Sequence, residues 1–319
     1  MQNNLLNNKT ILITGSSGFI GSKLLKRLER LDVKIVALSK KKDALTNEKK
    51  NVEYVYGDIS HNDFWKKIFL KYNFDYIFHL AALEYQGLNG SILKDLEINV
   101  KSTVILLDNI NLLSNKPKII FFSSVNIFGS IEAESVTEES NPRPESYWSH
   151  HKILSQFYLE FYNKVYNIES LILILPNIYG FSQNLEVTMR MSVNKIISRA
   201  ILNNEFTLYE NCNIKRNFLY IDDLVEAIFS SLKIKKWNAS KYLIGDNDHY
   251  SFSDIFRILK ALNKNIIKNQ NPIQLDIFEM RNYKINVDKF KTETGWKTEF
   301  NFQRNIIKTY EDFLFNYDK

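Results

Sequence analysis

The sequence predicts an α/β protein built on a doubly wound, mostly parallel sheet, and three observations carry that prediction. Six apolar runs of strand length occupy the first 180 residues, segments of helical periodicity separate them, and a glycine-rich turn follows the first run. Runs that are apolar throughout, rather than alternating with polar residues, suit strands covered by helices on both faces.

Thr10–Thr14 (TILIT), Val33–Leu38, Val52–Tyr56, Tyr76–Leu80, Lys118–Phe122 and Leu171–Leu175 read as those strands. Between the first two, Leu24, Leu25, Leu28 and Leu31 recur three to four residues apart and mark one face of a helix. Helix-like stretches follow near 186–203, 222–233, 252–263 and 303–315. The expected division is a first domain over residues 1–176, rejoined by 216–235, and a smaller, partly interleaved lobe over 177–319.

A chain of 319 residues can bury a core that needs no disulfide or metal staple. The single cysteine, Cys212, cannot form an internal disulfide, which suits a reducing cytoplasm. The N-terminal MQNNLLNNKT lacks the apolar core of a signal peptide, and the longest apolar runs, such as LILIL at 171–175, are too short to span a bilayer. A soluble cytoplasmic protein is expected. The net charge of +6 comes from 42 basic against 36 acidic residues, with lysines scattered among Asn and Ile rather than clustered beside aromatics. That pattern argues against nucleic-acid binding. The histidines at 61, 79, 150, 151 and 249 form no ligand pattern beyond one adjacent pair, so no metal site is expected, and His79 inside a strand reads as a core residue.

TILITGSSGFIGSKLL sets Gly15, Gly18 and Gly21 between a strand and a helix. The first glycine permits a tight turn, the second lets backbone approach a pyrophosphate, and the third lets helix pack against sheet. The helix N-terminus then offers unpaired N–H groups and a positive dipole end to the phosphates. The fold is thus expected to be a Rossmann-type doubly wound parallel sheet with a smaller C-terminal substrate-binding lobe. About 20 residues on, where an acid would accept bonds from the ribose 2′-hydroxyl of NAD, the second strand ends in VALSKKK. Ser39 and Lys40 welcome a 2′-phosphate that an acid would repel, which favours NADP over NAD.

From residue 10 to about 300 the chain resembles the extended short-chain dehydrogenase/reductase family, the nucleotide-sugar epimerases, dehydratases and ketoreductases. TGSSGFIGS is similar to its glycine loop, GDIS to its adenine-contacting turn, DYIFHLAA to its fourth strand, FFSSVNIFG to its catalytic-serine strand and LPNIYG to the strand before the substrate lobe. INVKST, RNFLYIDDLVEA and RNYKINVDKFKTETGW extend the match in order. The resemblance implies a cofactor site formed by Gly15, Gly18, Phe19, Ile20, Gly21, Ser39, Lys40, Asp58, Ile59, Leu80, Ala81, Ala82, Asn99, Tyr147, Lys152 and Pro176. It implies that Ser124, rather than Ser123, hydrogen-bonds the reacting sugar oxygen. Asn177 would contact the diphosphate region, and Arg216 and Arg281 would clamp the two phosphates with bidentate guanidinium groups. A homodimer through helices near 92–113 and 149–165 is also implied.

One motif departs from the family. There a Tyr serves as general acid or base and a Lys four residues later lowers its pKa, whereas in ESYWSHHKILSQ Tyr147 and Lys152 are five apart. Residues four apart on a helix differ by about 40° in direction, and residues five apart by about 140°. Anchoring on Tyr147 puts His151 in the place of the lysine, and anchoring on Lys152 puts Trp148 in the place of the tyrosine. Gln156, four beyond Lys152, favours the second alignment. A third arrangement keeps Tyr147 and Lys152 both in use, with Tyr147 in the loop before the helix or an extra residue absorbed as a π-bulge. A further alternative gives the proton work to His150 or His151, and another is a nucleotide-binding protein without turnover.

Val125 and Asn126 follow Ser124 where the family's 4,6-dehydratases carry an Asp-Glu pair, and the strand lacks the cysteine of the fucose-synthase type. What remains is hydride transfer at C4. The favoured expectation is NADPH-dependent reduction of a 4-keto, 6-deoxy nucleotide sugar for surface-polysaccharide biosynthesis. The alternative is a 4-epimerase or dehydrogenase with bound NAD.

Overall fold

The computed structural model describes residues 5–40, 42, 49–84, 87, 90–130, 135–182, 188, 191–203, 205–206, 212–268, 284–299 and 301–317. Seven strands form the main sheet: β1 (Lys9–Thr14), β2 (Val33–Ser39), β3 (Val52–Tyr56), β4 (Tyr76–His79), β5 (Lys118–Ser124), β6 (Ser170–Leu175) and β7 (Asn238–Leu243). Their order across the sheet is β7-β6-β5-β4-β1-β2-β3, and every neighbouring pair is parallel. The order reverses at β1, so the crevice between β1 and β4 opens at the carboxyl ends of the strands, where doubly wound sheets hold their ligands.

Successive residues of a strand point to opposite faces, and the two halves of the core follow that alternation. Ile11 and Ile13 of β1 pack with Leu24, Leu25 and Leu28 of helix α1 (Phe19–Leu28), while Leu12 between them joins Trp65, Ile68 and Phe69 of α2 (Asn62–Lys71). The second face is completed by a long helix, α3, whose α-helical turns Ile92–Asp95 and Ser102–Asn111 flank a π-helical stretch at Leu96–Lys101, and by α4 (Tyr147–Tyr166). Each fully buried Leu or Ile contributes about 1.5–3 kcal/mol relative to its exposed state, which is why these layers hold without a disulfide.

On the first face α1 packs against α6 (Ile221–Ser231), which follows α5 (Ser192–Asn203) among the described helices. Lys23 to Asp222 at 3.0 Å and Arg27 to Glu226 at 2.9 Å join α1 and α6 at their rim. Helices α7 (Phe252–Leu262), α8 (Asp288–Thr294) and α9 (Phe302–Tyr317) complete the C-terminal portion. Two short parallel strands, Asn177–Tyr179 and Phe218–Tyr220, pair next to it.

All six sequence-read strands are present. The seventh, β7, was not read from the sequence, because NASKYL starts with polar residues and sits at the sheet edge, where only one side needs a partner. It carries a register shift between Asn238 and Ser240, with Ala239 at φ 56°, and it brings residues 238–243, which the expected division gave to the smaller lobe, into the main sheet. No helix among the described residues is long and apolar enough to cross a membrane.

Candidate active site

The phosphate loop is built for close backbone approach. Gly15 turns at φ +70°, and a Cβ there would lie 2.8 Å from the Ala81 nitrogen; a Cβ on Gly21 would lie 2.1 Å from the Gly15 carbonyl oxygen. Neither position admits a side chain. Gly18 caps α1 without any side-chain bond, and the first turn of α1 holds no acid, so its amides and dipole end face the loop unopposed by a carboxylate. Buried Phe19 and half-buried Ile20 anchor the turn from behind.

Across the crevice the Thr14 hydroxyl accepts the Ala81 N–H at 3.0 Å and meets His79 Nδ1 at 3.0 Å, while Thr103 Oγ1 lies 3.3 Å from His79 Nε2. Burial pushes the His79 imidazole down to about 3, with the Lys152 charge adding to it, so this ring is a neutral strut. It seats Leu80, Ala81 and Ala82, which follow β4, beside the glycine turn. These features fit a dinucleotide pyrophosphate.

At the far end of that site, Ser39 closes β2 and is buried, and Lys40 reaches across to Asp58 with Nζ 2.6 Å from the carboxylate. Asp58 also accepts the Ser60 N–H and hydroxyl. Partial burial works to raise the Asp58 carboxyl, but the Lys40 ammonium and the Ser60 donors outweigh it and hold the group at about 2. Ile59 is buried, and its carbonyl accepts the Trp65 indole N–H at 2.8 Å.

Helix α4 starts at Tyr147. Ser146 caps it in a reciprocal box with Ser149, and such caps are worth about 1 kcal/mol. The helix is regular from Tyr147 to Tyr166, without a bulge, so Tyr147 and Lys152 do not share a face. The arrangement in which backbone irregularity brings them together is absent; the π-helical stretch lies in α3 instead. Trp148 takes the position four residues before Lys152, its ring 5.5 Å from the ammonium, and its indole donates to the Leu83 carbonyl at 2.8 Å. Lys152 is buried and donates to the Phe122 carbonyl at 2.9 Å. Burial pushes its ammonium down to about 8, against an opposite pull from Asp95.

The Tyr147 hydroxyl donates to the Gly87 carbonyl at 3.2 Å. Four residues on, His151 is buried with Nδ1 2.6 Å from Asp95, a carboxylate of α3 that is 1% exposed. His150 turns to the Ser146 carbonyl at 2.8 Å. Asn99, in the π-helical stretch, takes the Leu83 N–H at 2.7 Å and gives its own amide to the Leu83 carbonyl at 3.0 Å. One backbone unit beside the crevice is therefore held by Asn99 and Trp148 together.

Ser123 and Ser124 end β5 on opposite faces. The Ser123 hydroxyl accepts Gln156 Nε2 at 2.7 Å and is buried, whereas half-buried Ser124 caps the following 3₁₀ turn and accepts the Asn126 N–H at 3.2 Å. Pro176 is buried after β6, and the Asn177 side chain donates to the Asn217 carbonyl at 3.2 Å, tying the two short strands. Arg216 exchanges two backbone bonds with Tyr250, and its guanidinium lies 4.9 Å from the Phe252 ring. Arg281 lies outside the described residues. Asp95 and Leu83 were missed in the sequence. Asp95, an acid four residues before Asn99 and so on the same helical face, was the available signal; Leu83 acts through its backbone and left none.

A family model described as "NAD dependent epimerase/dehydratase family" matches residues 11–245. Among curated proteins, the dTDP-glucose 4,6-dehydratase of Haemophilus influenzae is 25% identical over 336 residues, covering 96% of this chain and 98% of that one. The UDP-glucose 4-epimerase of Thermotoga maritima, solved with UDP-glucose, superposes with a TM-score of 0.86 at 22% identity, covering 97% and 99%. A dTDP-glucose 4,6-dehydratase of Streptomyces venezuelae, solved with NAD and TYD, gives 0.84 at 21%, covering 97% and 98%.

Proposed function

The chain belongs to the NAD-dependent epimerase/dehydratase family, and we propose that within it the protein reduces the C4 ketone of a nucleotide-linked sugar with NADPH. The observation that carries the NADPH reading is the end of β2, where Ser39 and an ammonium stand in place of a carboxylate. The Lys40 side chain is 66% exposed, and ion pairs so exposed are worth under about 1 kcal/mol, so Lys40 can leave Asp58 for a 2′-phosphate. Val125, buried, and Asn126 stand after Ser124, which supports reduction over dehydration, since neither can act as acid or base.

The phosphate loop and the α1 N-terminus would hold the pyrophosphate, Ser39 and Lys40 the 2′-phosphate, and Asp58 and Ile59 the adenine. The bound cofactor supplies hydride. Ser124 donates to the ketone oxygen, a phenol at Tyr147 delivers the proton, and Lys152 adds positive charge beneath the site. Asn177, Arg216 and Arg281 hold the diphosphate. A 6-deoxy sugar bound for a surface polysaccharide fits this chemistry, and the protein works in the cytoplasm as a homodimer. The exposed residues Leu93 of α3 and Phe157 and Phe161 of α4 support the dimer.

A second reading, a nucleotide-binding protein without turnover, is favoured by Trp148, because an indole N–H does not usefully ionise. Mixing the protein and NADPH with a panel of 4-keto-6-deoxy nucleotide sugars, while following cofactor absorbance, separates the two. Oxidation is expected. NADPH binding without oxidation of any kind would sink the reductase, and interconversion of sugars without added cofactor would assign a 4-epimerase with retained NAD.

A further inference from the structure

We propose that His151 and Asp95 replace the missing tyrosine-lysine pairing by acting as positioning residues for Tyr147, which stays the proton donor on a face of α4 turned away from Lys152. This rests on the reductase reading above. Tyr147 and His151 are four residues apart on a regular helix, so they share a face, and their ring centroids are 6.2 Å apart. His151 thus occupies, relative to Tyr147, the place that the lysine usually has.

A buried histidine can serve there only if something holds its ring in place. Asp95 does so: its Oδ1 accepts from His151 Nδ1 at 2.6 Å, and its Oδ2 is buried without a hydrogen-bond partner among the described residues. A carboxylate on Nδ1 fixes the orientation of the ring and offsets positive charge that develops on it during the reaction. The ring so backed favours negative charge on the neighbouring phenol oxygen.

Other charged groups around this end of α4 are accounted for. Lys152, on the same helix, feels the same carboxylate but points to the Phe122 carbonyl. On α3, Lys94 is exposed, and Glu97 and Lys101 pair with each other at 3.2 Å. Glu145, before the helix, accepts from Ser130. From β4, His79 is neutral, and β5 with its following 3₁₀ turn presents serines and apolar residues. The Glu160–Lys241 pair links the far half of α4 to β7.

In the reduction, the C4 carbon gains hydride from the reduced dinucleotide as the C=O π bond breaks. The carbonyl oxygen takes the proton of the Tyr147 hydroxyl. The resulting phenolate is stabilised by the His151 ring, backed by Asp95, until solvent returns a proton.

The test compares kcat, KM and the pH profile of wild type with Tyr147→Phe, His151→Gln, His151→Lys, Asp95→Asn and His150→Gln, using NADPH and a 4-keto-6-deoxy nucleotide sugar. His151→Gln is expected to lower kcat about 100-fold with little change in sugar KM and to flatten the pH profile, as loss of acid–base assistance does. His151→Lys, which restores a cation four residues after the tyrosine, is expected to recover kcat to within about tenfold of wild type. His150→Gln should be unaffected. Asp95→Asn, which weakens the hold on the His151 ring, should lower kcat in the same direction as His151→Gln. A His151→Gln variant that keeps wild-type kcat and pH profile would overturn the pair while leaving the reductase standing. Wild-type protein that binds NADPH yet reduces no sugar would overturn the reductase reading and this role with it.

Discussion

Trp148 and Lys152 lie one helical turn apart, with the ammonium 5.5 Å from the indole centroid and the indole N–H spent on the Leu83 carbonyl. The indole therefore ties α4 to the segment after β4. Trp148→Phe keeps an aromatic ring, though a smaller one, and removes the N–H, while the Leu83 carbonyl retains the Asn99 amide. A loss of about 1 kcal/mol is expected, the net worth of one hydrogen bond, measured as a lower urea midpoint with unchanged slope.

Lys152 makes stability depend on pH. Burial holds its ammonium near 8 in the folded chain, against 10.5 for the free side chain. Between those values the unfolded chain binds more protons, so this group makes stability rise as pH goes from about 8 to 10.5. Lys152→Met should show a shallower rise over that window than wild type in urea titrations at each pH. Parallel curves would mean that Lys152 titrates without strain.

Lys40 is expected to discriminate the cofactors. Lys40→Glu removes a charge-assisted contact worth roughly 1.5–3 kcal/mol and adds repulsion, so Kd for NADPH should rise about tenfold or more while Kd for NADH changes less. Calorimetric titration with both dinucleotides reads this directly, and equal losses would remove the argument from the β2 end.

The helical face of α3 and α4 is expected to carry the dimer. Phe161→Asp places a charge where an apolar side chain, 49% exposed in the single chain, would be covered by a second copy. Sedimentation should show dimer for wild type and monomer for the variant, with the far-ultraviolet spectrum unchanged. A monomeric wild type would refute the assignment.

The glycine loop and the six strands read from the sequence were legible because local rules decide them. Three glycines between an apolar run and a leucine-striped helix leave few conformations, and strands covered on both faces need unbroken apolar residues. The helix that carries Tyr147 and Lys152 was legible only as a question. Ser146-x-x-Ser149 caps it at a defined residue, yet a serine at the third helical position is a quieter cue than the usual Glu or Gln. Whether the turns would then run regularly depends on packing against α3. The His151–Asp95 contact spans 56 residues, and no periodicity encodes it. Edge strand β7 was hidden for a similar reason, since its pairing with β6 comes from the tertiary arrangement and not from a strong run of its own.

That edge also governs how the molecule meets others in a crowded solution. A parallel sheet with a bare last strand is an invitation to continue, copy upon copy. Here the bulge at Ala239 spoils the repeat, the Leu243 N–H is given to Glu138, and the Lys241 carbonyl is taken by Lys289. Two charged side chains stand where a foreign strand would dock. Open-ended stacking of sheets is thereby blocked at this edge.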